Sequence, residues 1–271
     1  MAKTQEPAPR NEKAAQARKQ AQAQVAAEKR RTTAMWVVVA VIGVAIFAVL
    51  IAFIVRQGAV STPDGENQLT PTVATANDGF PVGKNGVVGE DLDADRVQLD
   101  IYFDFMCPVC GAFEEINGAE VQAMSQEGLI DVIYHPISIL DHTSAGTQFS
   151  TRSASVAALI AEEAPDKFAG FVVAMFANQP EEGTSGLNDK DLQDIATGVG
   201  VPDEVVAKIP SYSYAQWVTG ATERASVAGV NGTPTLFIDG VNQDSRVNPD
   251  GVDWSQPGNL RLAVEAAAAA E

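Results

Sequence analysis

The rhythm of apolar and polar positions changes several times along this chain of 271 residues. Residues 35–55, MWVVVAVIGVAIFAVLIAFIV, form one apolar run without a charged side chain. At a rise of about 1.5 Å per helical residue, such a run crosses a hydrocarbon core roughly 30 Å thick, so it predicts one transmembrane helix. Residues 1–34 are mostly Ala, Gln, Lys, Arg and Glu and cannot bury a core, which predicts a basic tail without a fold of its own. Residues 56–85 are rich in Pro, Gly, Thr and Asn and read as a flexible linker, with the folded domain expected over 86–271.

Within that domain the period switches between strand and helix. VQLDIYF, residues 97–103, is β-branched and aromatic with alternating polarity, and LIDVIYH, residues 129–135, has the same character. Between them a helical pattern carries Phe113, Ile116, Val121 and Met124, with a break or kink expected at Asn117-Gly118. A long helical section follows. Phe168, Phe171, Val172, Met175 and Phe176 make one apolar stripe. Asn188 reads as the N-cap of a helix that carries Leu192 and Ile195 and ends near Gly198 and Gly200. Tyr214, Trp217, Val218, Ala221 and Ala225 mark another helix. GVNGTPTLFIDG, residues 229–240, turns into a third strand, and an Ala-rich helix starts near Asn259. The order predicts an α/β sheet with an all-helical insertion over about 142–226.

Charge orients this arrangement. The net charge of −17 argues against nucleic-acid binding, which needs a surface of clustered Lys and Arg. Lys and Arg gather before the apolar run, ending in Lys29-Arg30-Arg31, whereas the chain beyond Arg56 is acidic. By the positive-inside rule the N-terminus is expected in the cytoplasm and the acidic domain outside, in a single-pass arrangement. A cleaved signal peptide is the competing reading. Its apolar region spans only about 7 to 15 residues and leads to a small-residue cleavage site, whereas this run is longer and meets Arg56.

The two cysteines, Cys107 and Cys110, stand in CPVC directly after the first of these strands. Three uses compete for them. A structural zinc site needs four ligands, and Cys107, Cys110, His135 and His142 supply that number without the usual spacing. An inert disulfide would close a four-residue loop and contribute little chain-entropy stabilisation. Redox exchange needs an exposed thiolate and a second thiol to resolve the mixed disulfide. A cysteine that opens a helix meets unpaired N–H groups and the positive end of the macrodipole, and Pro108 fits the first turn, where its missing N–H costs nothing.

Strand-CPVC-helix, a helical insertion, and Gly-x-x-Gly-Thr-Pro-Thr about 125 residues later together resemble the DsbA-like thiol/disulfide oxidoreductases of the thioredoxin superfamily, in particular the membrane-anchored bacterial members. The resemblance covers about residues 86–271 and implies a thioredoxin-like fold with a helical insertion and no cofactor. It implies Cys107 as the nucleophile, Cys110 as the buried resolving thiol, and Pro108 and Val109 as the dipeptide that tunes the potential. It further implies Pro234 as the family's cis-proline, with Thr233 pairing its backbone with substrate. The expected partners are thiol-containing secreted or cell-envelope proteins, with a DsbB-like or vitamin-K-epoxide-reductase-like membrane oxidase to restore the disulfide.

One position departs from the family pattern. An acidic residue often lies six positions before the first cysteine, where this chain has Ile101. Asp100 is one step off and therefore on the opposite face of the strand. Asp104 is the remaining candidate for proton handling. Val109 adds neither charge nor hydrogen bond, so an oxidant weaker than the most oxidising relatives is expected. The alternatives are a reductase or isomerase of the same fold, and a tethered binding module whose disulfide stays idle. His135 and His142 are expected to be structural.

Overall fold

A computed structural model describes residues 69–90 and 92–270. The basic tail over 1–34, the apolar run over 35–55 and the first part of the spacer, 56–68, lie outside the described residues. Among the described residues no helix is long and apolar enough to cross a membrane.

The centre is a five-stranded sheet in the order β1-β3-β2-β4-β5. Its strands are β1 (Phe80–Val82), β2 (Val97–Phe103), β3 (Ile130–Pro136), β4 (Thr235–Ile238) and β5 (Val241–Asn242). Strands β2 and β3 run parallel, and every other pair is antiparallel. Parallel neighbours need a crossover. It is supplied by α1 (Pro108–Glu127), which begins just past the C-terminal end of β2 and so fixes where the cysteines fall.

The sheet starts earlier than position 86. All three residues of β1 are buried, and Phe80 stands opposite Tyr134 of β3. The spacer expectation for 56–85 is therefore corrected: residues 80–82 belong to the domain. Three residues are too few to display alternation, and the flanking Gly79 and Gly83 read as loop. Gly79 is what lets this strand approach, since a Cβ there would lie 2.3 Å from Ile133 Cγ2 and 2.4 Å from the His135 ring.

Helix α1 runs unbroken through Asn117-Gly118, so the expected break is absent. Asn117 is buried, and its amide donates to the carbonyls of Phe113 at 3.2 Å and Trp254 at 3.1 Å, so a tertiary bond outweighs its weak helix propensity. The helix ends at Gly128, which adopts φ 76° and returns its N–H to Ser125 at 2.9 Å.

The insertion between β3 and β4 holds α2 (Phe149–Glu163), α3 (Phe168–Ala177), α4 (Asp189–Gly198), α5 (Asp203–Val206) and α6 (Ala215–Val227), with a 3₁₀ turn at Asp141–Thr143. Its limits follow the sequence reading closely. Asn188 caps α4, and Phe168, Phe171, Val172 and Met175 are the buried stripe of α3. That stripe meets the end of β2: Phe103 and Phe105 lie 5.6 and 5.2 Å from Phe176, ring to ring. Full burial of an aromatic side chain, as at Phe103 and Phe105, contributes about 1.5 to 3 kcal/mol. The insertion is thereby packed against the chain that enters the cysteine motif. Helix α7 (Asn259–Ala268) then packs on α1 and β2.

Candidate functional site: the cysteine pair at the start of α1

Cys107 is the N-cap residue of α1, with φ −75° and ψ 114°, and Pro108 follows in the first turn. No side chain caps this helix, and its first turn contains no acidic residue. The turn is shaped from below by Asp104. Its backbone carbonyl accepts from the Cys107 N–H at 3.0 Å and its carboxylate from the Met106 N–H at 2.9 Å. The other carboxylate oxygen accepts from the Leu140 N–H at 2.9 Å, which ties the turn to the entrance of the insertion.

Both cysteines are free thiols, and they are unequal. Cys107 keeps 6 % of its surface and Cys110 1 %, while the Pro108-Val109 corner between them is exposed. The Cys107 thiol is held down to about 6. The largest cause is a hydrogen bond from the Cys110 thiol, which outweighs the opposing burial, and the Thr233 side chain and the backbone of Cys110 and Val109 add to it. Burial pushes the Cys110 thiol well above its ordinary value, and the neighbouring Cys107 sulfur pushes in the same direction. One sulfur is thus disposed to be an anion and the other to hold its proton.

Across from the pair, Thr233-Pro234 is a cis peptide. The Cys107 thiol donates to the Thr233 carbonyl at 3.3 Å. The Thr233 hydroxyl is buried without a hydrogen-bond partner, so it can turn its proton toward the sulfur once the thiol ionises. The two motifs that stand about 125 residues apart therefore meet at one sulfur.

Asp104 is fully buried, and burial raises its carboxyl to about 6 against the lowering effect of the Met106 and Leu140 amides and the Ser150 hydroxyl. Its carboxylate accepts no hydrogen bond from either thiol; its backbone touches Cys110 instead. Asp100 sits on the other face of β2, as one-residue alternation requires. There it bonds His135 at 2.8 Å and Gln98 at 2.7 Å, and the His135 ring stacks on Tyr102 at 4.0 Å. His135 is thus bound into the packing of that face. His142 is exposed and its Nδ1 bonds the Ile139 carbonyl at 3.1 Å. Among the described residues no three His, Cys, Asp or Glu side chains gather as a metal-ligand set.

Gln179 is the residue that the sequence does not announce. Its amide donates to the carbonyls of Phe105 at 3.0 Å and Cys107 at 2.8 Å. A single glutamine in a loop carries no motif. The only trace of it is Gly111, a glycine inside a helix, which faces the Gln179 carboxamide. Together with Pro108 these residues are among those that line a groove of about 1000 Å³ between α1 and α3.

The family model described as Thioredoxin matches residues 85–254. Among solved structures, the reduced disulfide bond oxidoreductase DsbG of Mycobacterium tuberculosis is 26 % identical, with a TM-score of 0.57 over 72 % of this chain and 89 % of that one. MdbA of Actinomyces oris, a thiol-disulfide oxidoreductase, is 25 % identical, with a TM-score of 0.58 over 72 % and 91 %. A segment of 148 residues is 29 % identical to the serine/threonine-protein kinase PknE of Mycobacterium tuberculosis, covering 52 % of this chain and 26 % of the kinase. The chain thus spans about a quarter of the length of the curated relatives it matches. With a sheet that carries CPVC at a helix start opposite a cis Thr-Pro, and a family match over more than half its length, this chain belongs to the thioredoxin family as a DsbA-like member.

Proposed function

We propose that this chain is an extracytoplasmic thiol/disulfide oxidoreductase, which introduces disulfides into secreted or cell-envelope proteins through Cys107 and Cys110. The observation that carries the reading is the unequal pair. The Cys107 sulfur lies at an uncapped helix start, 3.3 Å from the Thr233 carbonyl, and its partner is more deeply buried.

In the oxidised enzyme a substrate thiolate attacks the Cys107 sulfur. The bond between Cys107 and Cys110 breaks, a mixed disulfide forms, and Cys110 leaves with the electron pair and takes up a proton. The second substrate thiolate then attacks the substrate's own sulfur in the mixed disulfide. The substrate disulfide forms and Cys107 leaves as a thiolate. Two electrons and the accompanying protons have passed to the pair. A leaving sulfur that is stable as an anion favours this direction, because stabilising the reduced form makes the enzyme the oxidant.

Thr233 holds the substrate backbone beside Pro234, and the exposed Pro108-Val109 corner borders Cys107, which itself keeps 6 % of its surface. Asp104, which exchanges a proton near pH 6 beneath the turn, is assigned to proton handling as Cys110 gains or loses its own. The apolar run over 35–55 would anchor the domain outside the membrane. A DsbB-like or vitamin-K-epoxide-reductase-like membrane oxidase would regenerate the disulfide, by analogy with the family.

Cys110→Ala removes the resolving thiol, so substrates should remain linked to Cys107 as adducts visible on a nonreducing gel. Absence of adducts, together with a Cys107 that resists alkylation after mild reduction, would instead support a non-catalytic binding module. Equilibration with glutathione tests direction. A potential as reducing as that of cytosolic thioredoxin would overturn the oxidase in favour of a reductase.

A further inference from the structure

The helical insertion does more than pack against the redox turn. Gln179 lies two residues past the end of α3 and reaches across to the chain on both sides of Met106. The Cys107 carbonyl it binds is the one that also accepts the first N–H groups of α1, from Cys110 at 3.0 Å and Gly111 at 3.2 Å. The place for the carboxamide is kept open by Gly111, since a Cβ there would lie 2.3 Å from Gln179 Oε1. Glycine in a helix interior costs about 0.5 to 1 kcal/mol relative to alanine, so this gap is bought against local propensity.

We propose that Gln179 is a positioning residue for Cys107: by binding the Phe105 and Cys107 carbonyls it fixes the first turn of α1 so that the N–H groups of Val109 and Cys110 face the sulfur. A second effect has the same sign. Each bond draws on the negative end of a carbonyl dipole close to the thiolate, so losing both bonds makes the anion less favourable. The inference rests on the redox reading of the pair and adds that the insertion, through one side chain, sets how acidic the nucleophile is.

Gln179→Ala should raise the Cys107 thiolate midpoint by roughly half a unit to one unit, the equivalent of about one net hydrogen bond. Alkylation of Cys107 by iodoacetamide near pH 6 should slow about two- to fivefold. Gly111→Ala should produce a shift of the same sign while favouring the helix, which separates positioning from loss of fold. In the double variant the shift should be no larger than in Gln179→Ala alone, because both changes remove the same contact.

An unchanged Cys107 midpoint in folded Gln179→Ala and Gly111→Ala overturns the inference, as do shifts that add in the double variant. If Gln179→Ala does not fold, the midpoint in Gly111→Ala decides alone. The redox reading fails differently, in the unmodified protein, if its own Cys107 ionises only near 9.0, the ordinary value for a thiol.

Discussion

Helices α1 and α4 begin in opposite ways. At α4 the Asn188 side chain accepts from the Asp191 N–H at 3.1 Å, and the Asp191 carboxylate accepts from the Asn188 N–H at 3.0 Å. Asp189 adds a second acid to that first turn. The N–H donors there are spent on the helix's own side chains, and the macrodipole is already answered. At α1 the cap position holds a cysteine, the next residue is a proline without an N–H, and the first turn itself contains no acid. The side-chain caps of an ordinary helix start are withheld at α1, where the backbone of Cys110 and Val109 helps to hold the Cys107 thiol down instead. The same local physics makes a structural element in one place and a reactive group in the other.

The most severe way to break this comparison is Cys107→Ser. A hydroxyl at the same cap position restores an ordinary N-cap, so the helix should hold while thiol/disulfide exchange with a model peptide dithiol falls to background.

Next comes acidity around the turn, read by chemical denaturation of the reduced protein across pH. Asp104 is raised from 3.8 to about 6 in the folded state, so between those values the native protein holds the extra proton and stability falls as pH rises. Cys107 is lowered from 9.0 to about 6, so between about 6 and 9.0 the unfolded chain holds the extra proton and stability rises with pH. Asp104→Asn should remove the lower slope and Cys107→Ser the upper one.

Val109→Asp sharpens the contrast by making α1 resemble α4. A carboxylate in the first turn should stabilise the helix by about 0.3 to 1 kcal/mol. It should also raise the Cys107 midpoint by about one unit through repulsion. Stability and reactivity would then move in opposite directions from one exposed site. The smallest effect on the thiol is expected from the other helix. Asn188→Ala should cost about 1 kcal/mol in thermal or denaturant unfolding and leave the Cys107 midpoint where it was.

Much of this contrast is legible in the order of residues. Asn188 before Asp191, and Pro108 after Cys107, are local signatures whose mechanism lies within one turn of helix. Strand β2 and the apolar stripe of α3 are legible for the same reason, since their periods run for seven residues or more. Strand β1 is not, because three buried residues between glycines show no period. The continuity of α1 through Asn117-Gly118 is hidden as well, because what holds Asn117 is a carbonyl far along the chain, at Trp254. In the candidate site, Cys107, Cys110 and the Thr233-Pro234 pair carry motifs and could be named from resemblance. Gln179 has no pattern of its own and is found only by its distance from the Cys107 carbonyl.

The pH dependence of Cys107 alkylation in the reduced, unmodified protein tests the central claim most directly, followed in parallel by ultraviolet thiolate absorbance. One thiolate should appear with a midpoint near pH 6, while Cys110 stays protonated well beyond it. A protein in which both thiols ionise together near 9.0 would contradict the account, because the start of α1 would then offer its sulfur nothing that water does not.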